Sequence, residues 1–305
     1  MAFRFEQDDA GLRAGLVRIA REETGRAQAE IDDAALSTER TIHQARKRTK
    51  RLRGLMRLLR PAFPDYRAET AHLRTAARGL SRLRDRDVMI ATHDALMAQT
   101  GADRRRYAPV RAHLTRARNR VAAEADPQAA LDTYAGEMAA IGARAGDWTL
   151  TGKDAKILRA GLERTWARAR KAMKAAKKSA DIEALHEWRK RVKDHWYQAR
   201  LLTPVAPQLF GERAKRAGAL GEILGDIHDL DVYRAHLEGP EASGLDPVRR
   251  RELVELASTR IGELEREAFA LGKSLFAQPP EEMAAESAAA WKTWRKGEGA
   301  AKKAA

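Results

Sequence analysis

The segment from His43 to Arg60 separates its apolar and cationic residues when they are placed on a helical wheel, on which each residue turns by about 100°. One face carries apolar side chains and the opposite face carries positive ones. This pattern predicts an amphipathic helix that packs in a bundle through its apolar face and leaves the other face polar. The apolar positions are Ala45, Leu52, Leu55, Met56 and Leu59.

The rest of the chain also favours helices. Ala, Leu, Arg, Glu and Lys, which are good helix formers, dominate the 305 residues, and no segment alternates with the period of a strand. We therefore predict an all-α protein whose tail, residues 296–305, is disordered. The predicted helices cover residues 8–30, 38–60, 65–83, 86–98, 105–145, 153–178, 182–202, 208–225, 230–238, 246–275 and 280–295.

The cationic face recurs in the second half of the chain. After His43 and after His186, Arg, Lys, Arg and Lys follow at offsets of 3, 4, 5 and 7, and another Arg follows at 14. All of these except the offset of 5 fall within an arc of about 100° on the wheel. The two cationic stripes suggest one anion-binding site built from two halves. They consist of His43, Arg46, Lys47, Lys50 and Arg57, and of His186, Arg189, Lys190, Lys193 and Arg200.

Other segments repeat at nearly the same distance. Residues 12–18 resemble residues 158–164, and residues 83–88 resemble residues 227–232. Both stripe helices end at a proline, which cannot continue a helix. The repetition predicts an internal duplication with halves at 1–150 and 151–295 and four helices in each repeat.

The charge of the chain points to a polyanionic partner. Lys and Arg number 58 against 43 Asp and Glu, so the net charge is +15. Such an excess is typical of proteins that bind nucleic acid, an anionic membrane surface or a phosphate polymer. Cysteine is absent, which excludes disulfides and thiolate metal sites. The N-terminus resembles no signal peptide and no apolar run reaches about 20 residues, so we expect a soluble cytoplasmic protein.

The first stripe helix has an electrostatic cost. From His43 to Arg60 it carries eight Lys and Arg and no acid. Like charges three or four residues apart repel by a few tenths of a kcal/mol per pair. An anionic ligand that neutralises the helix would explain this composition.

Candidate catalytic chemistry is weaker. The histidines that open the stripes are expected to donate hydrogen bonds to anionic oxygens rather than to act in catalysis. The pairs Asp85/Asp87 and Asp229/Asp231 could ligate Mg²⁺, but an acid before an apolar run is more often a helix N-cap. No P-loop, zincin helix, nucleophile elbow or dinucleotide loop occurs, so we expect neither catalysis nor a cofactor.

The doubled stripe, the following Asp-x-Asp-Val segment and the duplicated helical frame resemble the CHAD (conserved histidine α-helical domain) family from about residue 8 to about 290. The resemblance implies two four-helix bundles related by a pseudo-two-fold axis around a basic channel. It also implies binding of inorganic polyphosphate and association with polyphosphate granules.

The resemblance also implies which residues bind the anion. These comprise both stripes, together with basic residues on the helices before and after them. The first copy is more basic, because Arg51 and Arg53 correspond to Asp194 and Trp196 in the second. The further members are Arg13, Arg18, Arg51, Arg53, Arg84, Arg159, Arg164 and His228.

The leading hypothesis is a non-catalytic polyphosphate-binding protein that could also hold other phosphate-rich polyanions. It needs no membrane and no obligate protein partner. A nucleic-acid-binding protein is the first alternative, although aromatic residues for base stacking are only 6% of the chain. A polyphosphate or triphosphate hydrolase, which would need Mg²⁺ held by acids in the channel, is the second alternative.

Overall fold

A computed structural model describes residues 3–124, 126–179 and 181–301, and the side chains among them except at 81–87, 121–124 and 298–301. The described chain is helical and contains no strand, which confirms the all-α prediction. The helices are α1 (Leu12–Asp32), α2 (Thr38–Leu59), α3 (Tyr66–Thr100), α4 (Arg104–Glu124), α5 (Pro127–Arg144), α6 (Asp154–Ser179), α7 (Ile182–Leu202), α8 (Pro207–Glu238), α9 (Pro247–Leu275) and α10 (Pro280–Ala301), with 3-10 turns at Ala145–Asp147 and Pro240–Ala242.

Two predicted helix breaks are absent. The helices predicted at 65–83 and 86–98 are one helix, α3, and those predicted at 208–225 and 230–238 are one helix, α8. The N-cap interpretation of the Asp-x-Asp pairs is therefore wrong, since both pairs lie within helices. A glycine in a helix costs roughly 1 kcal/mol. Gly225 is buried in the interior of α8, where packing against α7 and α9 outweighs that cost.

Other boundaries also differ from the predictions. The stretch 105–145 is two helices, because Asp126 caps α5 through the N–H of Ala129 and Pro127 occupies its first turn. Helix α1 begins only after Gly11, whose φ of 146° is non-helical. Helix α10 continues beyond 295 as far as Ala301, so only 302–305 of the predicted disordered tail lie outside the described chain.

The helices form two bundles. Helices α1, α2, α3 and α5 pack around one another, as do α6, α7, α8 and α9. Helix α4 packs outside the first bundle against α3, and α10 packs against α6. The apolar face predicted for α2 is buried, and the corresponding face of α7, with Trp188 and Val192, is buried as well. The internal duplication itself stays a prediction.

The bundles join where α2 lies against α6 and α7. A Cβ atom on Gly54 would lie 2.7 Å from Cβ of Tyr197, and one on Gly161 would lie 1.8 Å from the carbonyl oxygen of Leu58. Only glycine permits helices to approach this closely. We call the contact of Gly54 with Tyr197 the α2–α7 crossing.

Candidate functional site

The two cationic stripes meet at the α2–α7 crossing. On one side of it Arg57 donates a hydrogen bond to Asp194, and on the other Arg51 lies close enough to Arg200 to shift its pKa. Late residues of α2 therefore face early residues of α7, and the helices run antiparallel. His43 and His186 each lie 11 residues before the crossing, about 16 Å along their own helices at 1.5 Å per residue. The stripes thus form an elongated track.

Five cations converge around the crossing: Lys47, Arg51, Arg189, Lys193 and Arg200, which we call the crossing cluster. Burial lowers the pKa of Lys47, and neighbouring arginines, Arg51 foremost, lower it further. Burial and then Arg189 lower the pKa of Lys193, and burial and then Arg51 lower that of Arg200. Among the described residues, no carboxylate forms an ion pair with Lys47, Lys193 or Arg200. Glutamates on neighbouring helices offset part of these shifts without forming ion pairs, so the described residues leave half-buried positive charge that is only partly compensated.

Trp196 organises one side of the crossing cluster. Lys193 Nζ lies 4.8 Å and Arg200 Cζ lies 4.9 Å from its ring centroid, within the range of cation–π attraction. The ring of Tyr197 lies 4.6 Å away and tilted. The half-buried indole therefore positions two cations instead of presenting a free aromatic face.

The arginine five residues after the histidine forms buried ion pairs in each half of the chain. Arg48 is buried and pairs with Glu30 at 3.0 Å. Its counterpart Arg191 is buried and pairs with Glu187 at 2.7 Å and with Asp194 at 3.0 Å. These are the positions that the helical wheel excludes from the stripes.

Acids on other helices supply part of the charge that α2 lacks. Glu23 of α1 is buried and accepts hydrogen bonds from Arg48 and Arg51, both at about 3 Å. Asp194 of α7 accepts one from Arg57. The composition of α2 predicts a neutralising ligand, but at least three of its eight cations already pair with acids of the described chain.

The predicted arginines on α1 have structural partners. Arg13 donates to the backbone carbonyl oxygens of Trp148 and Gly146, at 2.7 and 2.8 Å, and so holds the turn after α5. Arg18 forms an ion pair with Asp9 at 2.6 Å. Neither guanidinium therefore faces the crossing cluster as a free anion ligand.

The remaining predicted cations are distributed along the track and beyond it. Arg46 is half-buried, and one of its N–H groups lies 3.4 Å from the carbonyl oxygen of Leu80. The Arg84 side chain lies outside the described residues, as do those of Asp85 and Asp87. Among these remaining residues the exposed ones are His43, Lys50, Arg159, Arg164 and Lys190.

The predicted histidines of the second half contact each other. The ring centroids of His186 on α7 and His228 on α8 lie 4.0 Å apart, and Nδ1 of His228 hydrogen-bonds Nε2 of His186. Burial lowers the pKa of both rings, and His186 together with Arg189 helps lower that of His228 to about 4. Asp231 and Lys190 also face this pair. Both rings are therefore neutral at pH 7.

A separate cavity of about 370 Å³ opens where α2 ends and α3 begins. Burial and then Arg57 lower the pKa of Arg53, one of the five guanidinium groups in its wall. Three of these arginines lie outside the doubled stripe, so no repeat marks them in the sequence, although Arg67 and Arg74, seven residues apart, share a face of α3. This arginine pocket is lined by Arg53, Arg57, Arg60, Arg67 and Arg74, with Tyr66 and Thr70.

Metal-ligating groups are sparse around these cations. Within the part of the chain whose side chains are described, no three His, Asp or Glu side chains lie together so that they could hold a metal ion.

Comparison with known families identifies this arrangement. A sequence profile described as the CHAD domain matches residues 18–238, a range that includes both stripes. The chain belongs to the CHAD domain family. The crystal structure of the CHAD domain from the plant Ricinus communis is similar in fold, with a TM-score of 0.62 and 18% sequence identity over 91% of this chain and 95% of that one. A search of curated proteins finds no match.

The helices of this CHAD domain do not resemble membrane spans. None in the described part of the chain combines the length and the apolar character needed to cross a bilayer.

Proposed function

We propose that this CHAD domain binds inorganic polyphosphate in the cytoplasm, at polyphosphate granules, without reacting with it. The crossing cluster carries this proposal, because Lys47, Lys193 and Arg200 are half-buried cations without an ion pair to a described residue. Keeping such charges away from water costs free energy unless an opposite charge approaches them. A phosphate chain supplies that charge without covalent chemistry.

The elongated form of the track supports a polymer rather than a single small anion. The histidines that open the two stripes are separated by the crossing, each about 16 Å from it along its helix. A flexible chain with a negative charge on every unit can contact both stripes, and each contact is a charge-assisted hydrogen bond. Binding should weaken steeply with salt, as it does for nucleic-acid polyanions.

The aromatic residues favour phosphate over nucleobases. Readers of single-stranded nucleic acid stack bases on accessible aromatic rings. All aromatic residues of this chain lie among the described residues, and none is exposed. Trp188 is fully buried and stacks on Phe269, while Trp196 is occupied by Lys193 and Arg200. Nucleic acid is therefore the second candidate and polyphosphate the first.

The test is a titration with long-chain polyphosphate at several salt concentrations. The variant Lys47→Gln/Lys193→Gln/Arg200→Gln removes three charges from the crossing cluster, and Arg105→Gln/Arg116→Gln/Arg266→Gln removes three exposed arginines elsewhere as the matched control. We expect the first variant to bind at least about 1,000-fold more weakly, because hydrogen bonds to charged groups each contribute roughly 1.5–3 kcal/mol and about 1.4 kcal/mol corresponds to a factor of ten. Its plot of log K against log salt should be shallower, with a slope reduced by about one for each phosphate that no longer meets a cation.

The outcomes separate the candidate functions. Equal weakening in both triple variants would show non-specific attraction and contradict the proposed site. Displacement of polyphosphate by single-stranded RNA at equal phosphate concentration would favour nucleic-acid binding. Release of orthophosphate from polyphosphate in the presence of Mg²⁺ would establish a hydrolase. Failure of a fluorescent fusion to accumulate at granules would contradict the proposed location.

A further inference from the structure

We propose that the arginine pocket is a second anion site, which takes a compact oligophosphate of two or three linked phosphates. It shares no residue with the crossing cluster and only Arg57 with the stripes, so this inference goes beyond the proposed function and does not require it. The pocket lies between the end of α2 and the first turn of α3. Its volume of about 370 Å³ falls within the range of small-molecule sites, roughly 300–1,000 Å³.

The charge of the wall selects an anion. Five arginines and no acidic side chain occur among the described residues that line the cavity. Arg53 is half-buried, and its neighbours Arg57 and Arg74 add repulsion to the cost of its burial. Asp194 forms ion pairs with Arg57 and Arg191 and only partly offsets the repulsion at Arg53, whose pKa is lowered overall. An anion in the cavity would relieve the repulsion.

The composition of the wall favours phosphate groups. The pocket contains arginine and no lysine, whereas the crossing cluster mixes the two. A guanidinium binds two phosphate oxygens at once through a planar fork, and lysine offers only a point charge. The guanidinium of Arg60 lies over the ring of Tyr66, 4.8 Å from its centroid, which limits its orientations before any ligand arrives.

The helix that follows adds positive potential. Tyr66, Arg67 and Thr70 belong to the start of α3, a helix of 35 residues. The side chain of Asp65, at the N-cap, makes no capping hydrogen bond. The macrodipole of a helix start attracts phosphate, and here it adds to the positive potential of the arginine pocket, while the carboxylates of Asp65 and Glu69 at the same end offset part of it.

The second half of the chain does not repeat the pocket. At the offset of 143 that relates the stripes, Arg60, Arg67 and Arg74 correspond to residues 203, 210 and 217, which are Thr, Phe and Ala. The last two are buried in the second bundle. Within the described part of the chain the pocket thus has no counterpart at the repeat offset, whereas the stripes occur twice.

The experiment uses inorganic triphosphate as the probe, in calorimetric titrations of the full chain. The pocket variant is Arg60→Gln/Arg67→Gln/Arg74→Gln, whose residues lie outside both stripes. The comparison variants are Lys47→Gln/Lys193→Gln/Arg200→Gln and the surface control Arg105→Gln/Arg116→Gln/Arg266→Gln. Circular dichroism and thermal unfolding verify that each variant is folded. Long-chain polyphosphate is titrated against the same four proteins.

We expect the wild type to bind one triphosphate, and the pocket variant to bind it at least about 30-fold more weakly, because each arginine removed supplies charge-assisted hydrogen bonds to phosphate. The crossing variant and the surface control should change triphosphate affinity by less than about threefold. Triphosphate binding that is absent in the wild type, or that the pocket variant retains, would overturn this inference. In either case long-chain binding that depends on the crossing cluster would leave the proposed function intact. A wild type that binds triphosphate at the pocket but does not bind long-chain polyphosphate would overturn only the proposed function.

Discussion

The two sides of the α2–α7 crossing carry equivalent stripe arginines, but only one of these arginines is paired with an acid of the described chain. On the first side, Arg200 lies beside Trp196 and faces Lys47 and Arg51, and it forms no ion pair with a described residue. On the other side, its counterpart Arg57 is bound by Asp194. Equivalent positions in the two stripes thus give one arginine that is available to a ligand and one that the protein itself neutralises.

The difference arises at a single position of the repeat. Eight residues after the histidine, the first copy has Arg51 and the second has Asp194. Arg51 is neutralised from outside its helix, by Glu23 of α1, whereas Asp194 itself neutralises Arg57. The number of cations in a stripe therefore overstates what a ligand can contact, since the facing helix decides which charges stay available.

The largest expected effect is disruption of the junction on which this comparison depends. In Gly161→Ala, the new Cβ would lie 1.8 Å from the Leu58 carbonyl oxygen, so α6 and α2 must separate. We expect a loss of about 4 kcal/mol in the free energy of unfolding, measured by urea denaturation. The control is Gly25→Ala, whose Cβ meets nothing within 4 Å and which should stabilise α1 by up to about 1 kcal/mol. Equal stability of the two variants would contradict this packing.

The second prediction removes the acid that distinguishes the two sides. Asp194→Asn leaves Arg57 and Arg191 without their shared, buried carboxylate. We expect the free energy of unfolding to fall by about 3 kcal/mol, because breaking a buried ion pair leaves uncompensated charge. Polyphosphate affinity should rise, because Arg57 becomes available, and the bound ligand should restore part of the stability. The exposed residue Asp8, changed to Asn, is the control and should alter neither quantity.

The third prediction compares the two equivalent arginines directly. Arg200→Gln should reduce polyphosphate affinity about tenfold while changing stability little, since the ligand then has one charge-assisted hydrogen-bond partner fewer. Arg57→Gln should change the affinity by no more than about threefold, but should lower stability because Asp194 loses a partner. Titration with polyphosphate measures the affinity of both variants, and urea denaturation measures their free energy of unfolding. Similar reductions of affinity would show that Asp194 does not withhold Arg57 from the ligand.

Local pattern was sufficient for much of the fold. The helical periodicity predicted α2 and α7 to within a residue, and the wheel identified both their buried faces and the offset at which Arg48 and Arg191 are buried. It did not predict the continuity of α8 through Asp229, because tertiary packing outweighs the local preference of Asp for a helix start.

The candidate site was only partly predictable for the same reason. The stripes are visible in the sequence because they repeat. The use of Glu23 by Arg51 and the arrangement of Arg60 with Arg67 and Arg74 in one cavity depend on packing between helices, which no repeat marks. Arg13 and Arg18 match the family pattern, yet in this chain they hold a turn and Asp9.

The smallest expected effect is the pH dependence of polyphosphate affinity, which should depend on His228, the neighbour of the second stripe's histidine. His228 stands where the first half has Arg84, and its pKa of about 4 keeps it neutral at pH 7. A bound polyanion would favour protonation of His186 and His228, so affinity should rise as pH falls from about 7 to 5. In the free protein the pKa of His228 is lower than in the unfolded chain, so acid favours the unfolded state. The free energy of unfolding should therefore fall as the pH decreases over the same range.

The variant His228→Arg tests this by giving the second half the residue of the first. A permanent charge beside His186 should raise polyphosphate affinity at pH 7.5 about threefold, which is the contribution of one additional half-exposed ion pair. The increase in affinity between pH 7 and pH 5 should also be smaller in this variant. The control is His72→Gln, which removes a histidine that is paired with Glu137 outside the stripes and should leave that increase unchanged. If His228→Arg keeps the wild-type pH dependence, the proton taken up on binding does not reside on this histidine pair, and the two sides of the crossing differ only through Asp194.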